Sequence, residues 1–165
     1  MKPRIIFIIL TLLYFTIGFT FYAKADEKSC LAEAVYFEAR SESFVAQLAV
    51  GNVILERTKS DTYPDTICEV VHQGYYWKDV PIRSRSQFSY WCDGKPERIA
   101  NMEAYRMAAS IAELVLAGVI VEHTAGATHY HATYVSPEWS HHPHFEVLGQ
   151  VGSHIFYVQN RSVGN

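Results

Sequence analysis

The chain has 165 residues, of which 49% are hydrophobic and 19% charged, so it has room for one well-packed domain and is not a disordered segment. A net charge of −3 with no basic cluster excludes a surface built to neutralise phosphates, and nucleic acid is not an expected partner. Aromatic residues are abundant (11 Tyr, 9 Phe, 3 Trp), and a small core cannot easily hide them all; such a surplus often lines a groove for sugars or other flat ligands.

The first 25 residues are of a different character from the rest. Lys2 and Arg4 precede a stretch from Ile5 to Ala23 without a charge, and Ala23-Lys24-Ala25 has the small-x-small form of a cleavage site. This reads as a secretory signal peptide. The stretch is also long enough to serve as an uncleaved membrane anchor. Both readings place residues 26–165 outside the cytoplasmic membrane, in the periplasm, the cell envelope or the medium, with any membrane attachment confined to the N-terminal segment.

In the mature part, Ser29 is a candidate cap for a helix to about Arg40. Leu31, Ala34, Val35 and Glu38 share one face of it, so a carboxyl continues an apolar stripe. Ser43 can cap a second helix to about Arg57, whose dense apolar positions (Val45, Leu48, Ala49, Val53, Ile54, Leu55) predict a buried central element. Pro64 opens a short helix through Val71, ending at Gly74. Residues 75–95 read as a long functional loop. Pro96 restarts a helix that Gly118 stops. Residues 127–135 and 151–159 read as strands, with His141-His142-Pro143-His144 in a polar turn between them. The pattern is α+β, helices first and a small sheet or hairpin last.

Three groups of residues could carry chemistry. Burial of a carboxyl on an apolar helix face raises its pKa and suits it to general-acid work, which makes Glu38 the sharpest candidate. The plainer alternative is a Glu38 that pairs with Arg40 or Arg57 or points to water. Second, Ser86 to Gly94 mixes amide, hydroxyl and aromatic groups (Gln87, Ser89, Tyr90, Trp91, Asp93) of the kind that bind sugars; the same aromatics could equally fill a core. Third, His129 and His131 alternate along a strand and face the same side, so they could touch substrate, bind a metal or bond to backbone. The chain lacks G-x-S-x-G and H-E-x-x-H, and without a C-x-x-C pair its cysteines do not have the spacing of a zinc site. Of the three cysteines, Cys68 and Cys92 are expected to pair, because a covalent tie would hold the irregular segment around Cys92; Cys30 would then stay free.

Six blocks in order, LAEAVYFEARSE (31–42), QLAVGNVILERT (47–58), YPDTICEVV (63–71), QFSYWCDGKPERI (87–99), GATHYHATYVSPEW (126–139) and VGSHIFY (151–157), resemble those of the SleB-type cell-wall hydrolases, relatives of spore cortex-lytic enzymes. The resemblance covers nearly all of the mature chain. It implies a compact lysozyme-like domain related to lytic transglycosylases, acting as a monomer on peptidoglycan glycan strands between N-acetylmuramic acid and N-acetylglucosamine. It also implies Glu38 as the catalytic residue, with Glu42, Gln87, Ser89, Tyr90, Trp91, Asp93, His129, Tyr130 and His131 as groove residues, and neither a metal nor a cofactor. Two departures stand out: Ser41 occupies a position where the family has glycine, and Ser86 one where many exported relatives have cysteine, so that one half of a disulfide is missing. The rival readings are a zinc-dependent amidase built on the histidines and a peptidoglycan-binding module without turnover.

Overall fold

The computed structural model describes residues 26–160; the signal-peptide reading of residues 1–25 falls outside them. Helix α1 covers 26–39 and is already under way at Ser29, so that serine caps nothing. Leu31, Ala34 and Val35 are fully buried, as their spacing predicts. Helix α2, Phe44–Arg57, does begin at a Ser43 cap, whose side chain accepts from the Ala46 amide at 3.3 Å. It is buried without a break from Ala46 to Ile54 and forms the axis of the domain. Gly51 lets its neighbours come close: a Cβ there would lie 2.9 Å from Val115 and 3.5 Å from Val35. The short helix α3, Ile67–Val71, starts three residues after Pro64, its expected opening residue; the Thr66 side chain caps it instead.

The reading of residues 75–95 as one long functional loop is corrected by a β-hairpin over its first half. Strand β1, Gly74–Trp77, pairs antiparallel with β2, Val80–Ser86, through a two-residue turn at Lys78 and Asp79. Both turn residues have positive φ (49° and 64°), a conformation usually signalled by Asn-Gly, so Lys-Asp hid the hairpin. A 3-10 turn, Ser89–Cys92, follows. Helix α4, Met102–Leu116, begins later than Pro96, at an Asn101 cap that accepts from the Glu103 and Ala104 amides. It ends near Gly118 as expected, with Gly118 N–H on Val115 C=O and Val119 N–H on Leu114 C=O closing the last turn.

The last third is a three-stranded antiparallel sheet in the order β3-β5-β4, with β3 His129–Ala132, β4 Phe145–Val151 and β5 His154–Gln159. β4 was not foreseen, since its residues lack a clean alternation. Tyr130 and Phe156 lie opposite each other on one face of the sheet, and His129 and Tyr157 on the other. Of the polar turn, His141 and His142 are exposed and His144 is half-buried. The whole is α+β, as the pattern predicts. No helix among the described residues is long and apolar enough to cross a membrane.

The disulfide joins Cys30 to Cys68, and Cys92 is the buried free thiol, reversing the expected pairing. Cys30 stands one turn from Glu27 on α1, and Glu27 accepts from the Ile67 amide at 2.6 Å, so this face of α1 lies directly on α3. The sulfur of Cys92 instead meets the Ser86 hydroxyl. The Ser86 position that resembles a lost cysteine is thus the neighbour of the unpaired thiol.

Glu42 fastens the helices to the sheet. Its carboxylate accepts from the Ser153 hydroxyl and from the Ser153 amide at 3.2 Å, in the turn between β4 and β5. The Ser153 hydroxyl bond holds the Glu42 pKa below its ordinary value. Gly152, beside it, has φ +57°, and a Cβ there would lie 2.9 Å from the Ala46 Cβ. Two results follow. Gly152→Ala should cost about 1–3 kcal/mol and lower the melting temperature. Glu42→Gln should destabilise the protein at neutral pH. Because the folded pKa is the lower one, this contribution is present above the ordinary carboxylate pKa and fades as pH falls through the depressed value. Melting curves of wild type and Glu42→Gln should therefore converge in acid; a constant gap would show that the charge has no part in it.

Candidate active site

Glu38 sits in the last turn of α1, where the apolar stripe meets the edge strand β3. A cavity of about 300 Å³ opens there, lined by Glu38, Arg57, Gln87, Phe88, Ser89, His129, Tyr130 and Trp139. Burial raises the Glu38 pKa; the Tyr130 hydroxyl, which donates to Oε2 at 3.5 Å, and the Arg57 charge pull it partly back. Burial also raises the Tyr130 pKa, followed by the nearby Glu38 charge, so its phenol stays a donor.

Arg57 closes α2 and is only 6% exposed. It falls at i+3 and i+4 from Ile54 and Val53, in phase with the buried positions of the helix, a signal the sequence carried and our reading of the site did not use. Its Nε donates to the Thr128 carbonyl at 2.9 Å. Its guanidinium carbon lies 5.1 Å from the Tyr63 ring centroid and 5.4 Å from that of Phe88. Nη1 is buried without a partner. Glu38 forms no ion pair with Arg57 or Arg40 within 4 Å among the described residues.

The two histidines of β3 part company. His129 lines the cavity, with Nε2 3.2 Å from the Tyr63 hydroxyl and Nδ1 3.0 Å from the Thr128 hydroxyl. Burial first, and the Arg57 charge second, lower its pKa to about 4, so it is neutral at neutral pH. His131 lies outside the lining. Its Nδ1 donates to the Ala132 carbonyl at 2.9 Å, which leaves Nε2 to accept from the Tyr157 hydroxyl at 2.8 Å. With these ring nitrogens engaged, the pair is not arranged as metal ligands. The one cluster of three potential ligands among the described residues is Asp26, Cys30 and Cys68, and its two sulfurs are joined to each other.

The remaining expected groove residues divide. Gln87 and Ser89 are exposed and line the cavity. Tyr90 is buried beneath it, stacked on Phe37 at 4.6 Å, and Glu42 is held by Ser153. Trp91 stacks on His72 at 3.7 Å and donates to the Tyr76 hydroxyl at 2.8 Å. Asp93 accepts from the Lys95 amide at 2.7 Å. These four do not line the Glu38 cavity. Trp139 and Phe88 do, and both were within the recognised blocks without being singled out. Ser41 causes no difficulty: the positive-φ non-glycine residues among those described are Lys78, Asp79 and Ser84, so the backbone at 41 does not require glycine.

The profile of the cell wall hydrolase family matches residues 41–157. The chain belongs to the cell wall hydrolase family. A spore cortex-lytic enzyme of Halalkalibacterium halodurans is 49% identical over 43 residues, a match spanning 26% of this chain and 13% of that protein. The catalytic domain of the Bacillus cereus SleB protein superposes with a TM-score of 0.57 at 24% identity, covering 81% of this chain and 90% of that one. The catalytic domain of the germination-specific lytic transglycosylase SleB from Bacillus anthracis gives 0.57 and 24%, covering 79% and 93%. These superpositions establish the SleB-type α+β, lysozyme-like fold for this cell wall hydrolase.

Carbon-13 NMR of the Glu38 carboxyl should show titration above the ordinary glutamate range. In Tyr130→Phe the hydrogen bond that favours the charged form is gone, so the midpoint should move further up. A midpoint that stays put or falls would remove Tyr130 from the electrostatics of the site.

Proposed function

We propose that this cell wall hydrolase cuts the glycan strand of peptidoglycan between N-acetylmuramic acid and N-acetylglucosamine, with Glu38 as its catalytic residue. The observation that carries the proposal is a desolvated carboxyl in the wall of an open cavity, on an element fixed by packing. The family profile begins just after Glu38, so its assignment rests on this pocket and on the E-A-R-S-E block.

The mechanism proposed is that of a lytic transglycosylase. Protonated Glu38 gives its proton to the bridging oxygen as the C1–O bond breaks. The 6-hydroxyl of the muramic acid then closes on C1, and the Glu38 carboxylate takes the hydroxyl proton, which restores the acid and leaves a 1,6-anhydro end. Direct hydrolysis uses a second carboxylate in most glycosidases. Here Glu38 is the sole carboxylate among the lining residues. Glu42 and Asp93, the two other candidates, are held elsewhere by Ser153 and by the Lys95 amide. This favours the single-carboxyl route. Arg57 and the Tyr130 hydroxyl stabilise the carboxylate during the interval in which its proton is on the leaving group. The enzyme would work outside the cytoplasmic membrane, where its substrate lies.

Mass spectrometry of muropeptides separates the chemistries. Anhydro ends are expected; reducing ends would indicate hydrolysis, and free stem peptides an amidase. Glu38→Gln should lower turnover by a factor of roughly 10² to 10⁴ with the fold intact. Activity within a few-fold of wild type would overturn the assignment, and an unaltered interaction with no turnover in either protein would leave a binding module. The rate should also fall as pH rises through the elevated Glu38 pKa, since the acid must begin protonated.

A further inference from the structure

The β1–β2 hairpin presents side chains that the reaction at Glu38 does not use. Tyr75 is 67% exposed and Trp77 71%, and Val80, opposite Trp77 across the turn, is also exposed. The hairpin is nonetheless held in place. Tyr76, between the two, turns its hydroxyl back to donate to the His72 carbonyl at 2.5 Å and to accept from Trp91 Nε1, and Trp91 is stacked on His72. At the base, the Gln87 amide donates to the Gln73 carbonyl at 2.9 Å. Large aromatic rings fixed in place and left in water are costly unless a ligand covers them.

Beside these rings lies a second cleft of about 540 Å³, lined by Gln73, Gly74, Tyr75, Arg85, Ser86 and Gln87. Gln87 also lines the Glu38 cavity, so the two clefts are neighbours that share a wall residue. Arg85 holds its guanidinium carbon 5.9 Å from the Tyr75 ring centroid. With Lys78 and Arg83 against Asp79, the hairpin is cationic on a chain of net charge −3. A substrate that is a polymer of pyranose rings carrying carboxylate-bearing stem peptides matches this combination: apolar ring faces for the aromatics and anions for the arginine.

We propose that the β1–β2 hairpin is a distal glycan-binding arm, in which Tyr75 and Trp77 stack on sugar rings beyond the Glu38 cavity and Arg85 takes a stem-peptide carboxylate. This rests on the reading of peptidoglycan as substrate. It also gives Trp91 a role as the residue that positions the arm.

The test uses the purified protein with Tyr75→Ala/Trp77→Ala, with Arg85→Ala, and with the conservative Tyr75→Phe/Trp77→Phe. The exposed positions predict melting temperatures close to wild type. The alanine double variant should raise the concentration of polymeric peptidoglycan needed for half-maximal rate about tenfold, with a smaller loss on the shortest fragment still cleaved. The phenylalanine variant should recover most of the loss, and Arg85→Ala should weaken binding most on glycan with its stem peptides in place. Equal losses on polymer and shortest fragment, or no loss on either, would overturn the proposal. So would wild-type protein that cosediments with phosphatidylglycerol vesicles through these residues while its retention on peptidoglycan is unaffected by them. Retention of Glu38→Gln protein on insoluble peptidoglycan, with and without the hairpin substitutions, tests the arm independently of turnover. If wild type releases no glycan fragments, the reading of Glu38 fails; if retention ignores the hairpin, only the arm does.

Discussion

Arg57 leaves the last turn of α2 inside the protein, where its charge is removed from water. A guanidinium in that position is destabilising unless its surroundings compensate it. The compensation comes from three directions: the Thr128 carbonyl on Nε, the Tyr63 ring and the Phe88 ring. Those partners belong to the residue just before β3, the segment before α3 and the segment after the hairpin. One buried cation thereby fixes how sheet, helices and loop come together, and the cavity is the space left between them. Burial dominates the protonation of both neighbours, raising the Glu38 pKa and lowering that of His129; the Arg57 charge opposes the first shift and adds to the second.

Two opposing effects define Glu38. Desolvation holds its proton on, while Tyr130 and Arg57 make its loss tolerable. A carboxyl buried without such partners would keep its proton too firmly to be a useful donor; one fully solvated would already have lost it. The neutral His129 adds polarity to the cavity without adding a second charge.

The helical half of the fold was legible because its signals are local. Ser43 caps α2, Leu31, Ala34 and Val35 of the α1 stripe are buried, and Gly118 lies at the end of α4. What escaped depends on contacts distant in sequence or on backbone conformations without a sequence signature. The hairpin turns on Lys78 and Asp79, residues that do not announce positive φ. Cys30 meets Cys68 because two helices pack, which no spacing rule states. Of the candidate site residues, Glu38, Gln87, Ser89, His129 and Tyr130 line one cavity, whereas Glu42, Tyr90, Trp91, Asp93 and His131 lie outside its lining and bond to other parts of the fold. Residue type marked the segments with polar and aromatic side chains; only geometry could separate a wall residue from the one behind it.

The bond between Cys30 and Cys68 lies on the helix that carries Glu38, and it closes a sequence separation of 38 residues. A link of that span removes unfolded-state entropy worth about 4 kcal/mol in the chain-entropy treatment, a large part of the net stability of a small domain. In a reducing compartment the thiols stay apart and that contribution is missing. There the helix bearing Glu38 also lacks its covalent anchor to α3. Oxidation supplies the entropic stabilisation and the anchor at once. The integrity of the Glu38 cavity is in this way tied to the redox state of the surroundings, by a bond that lies outside the cavity itself.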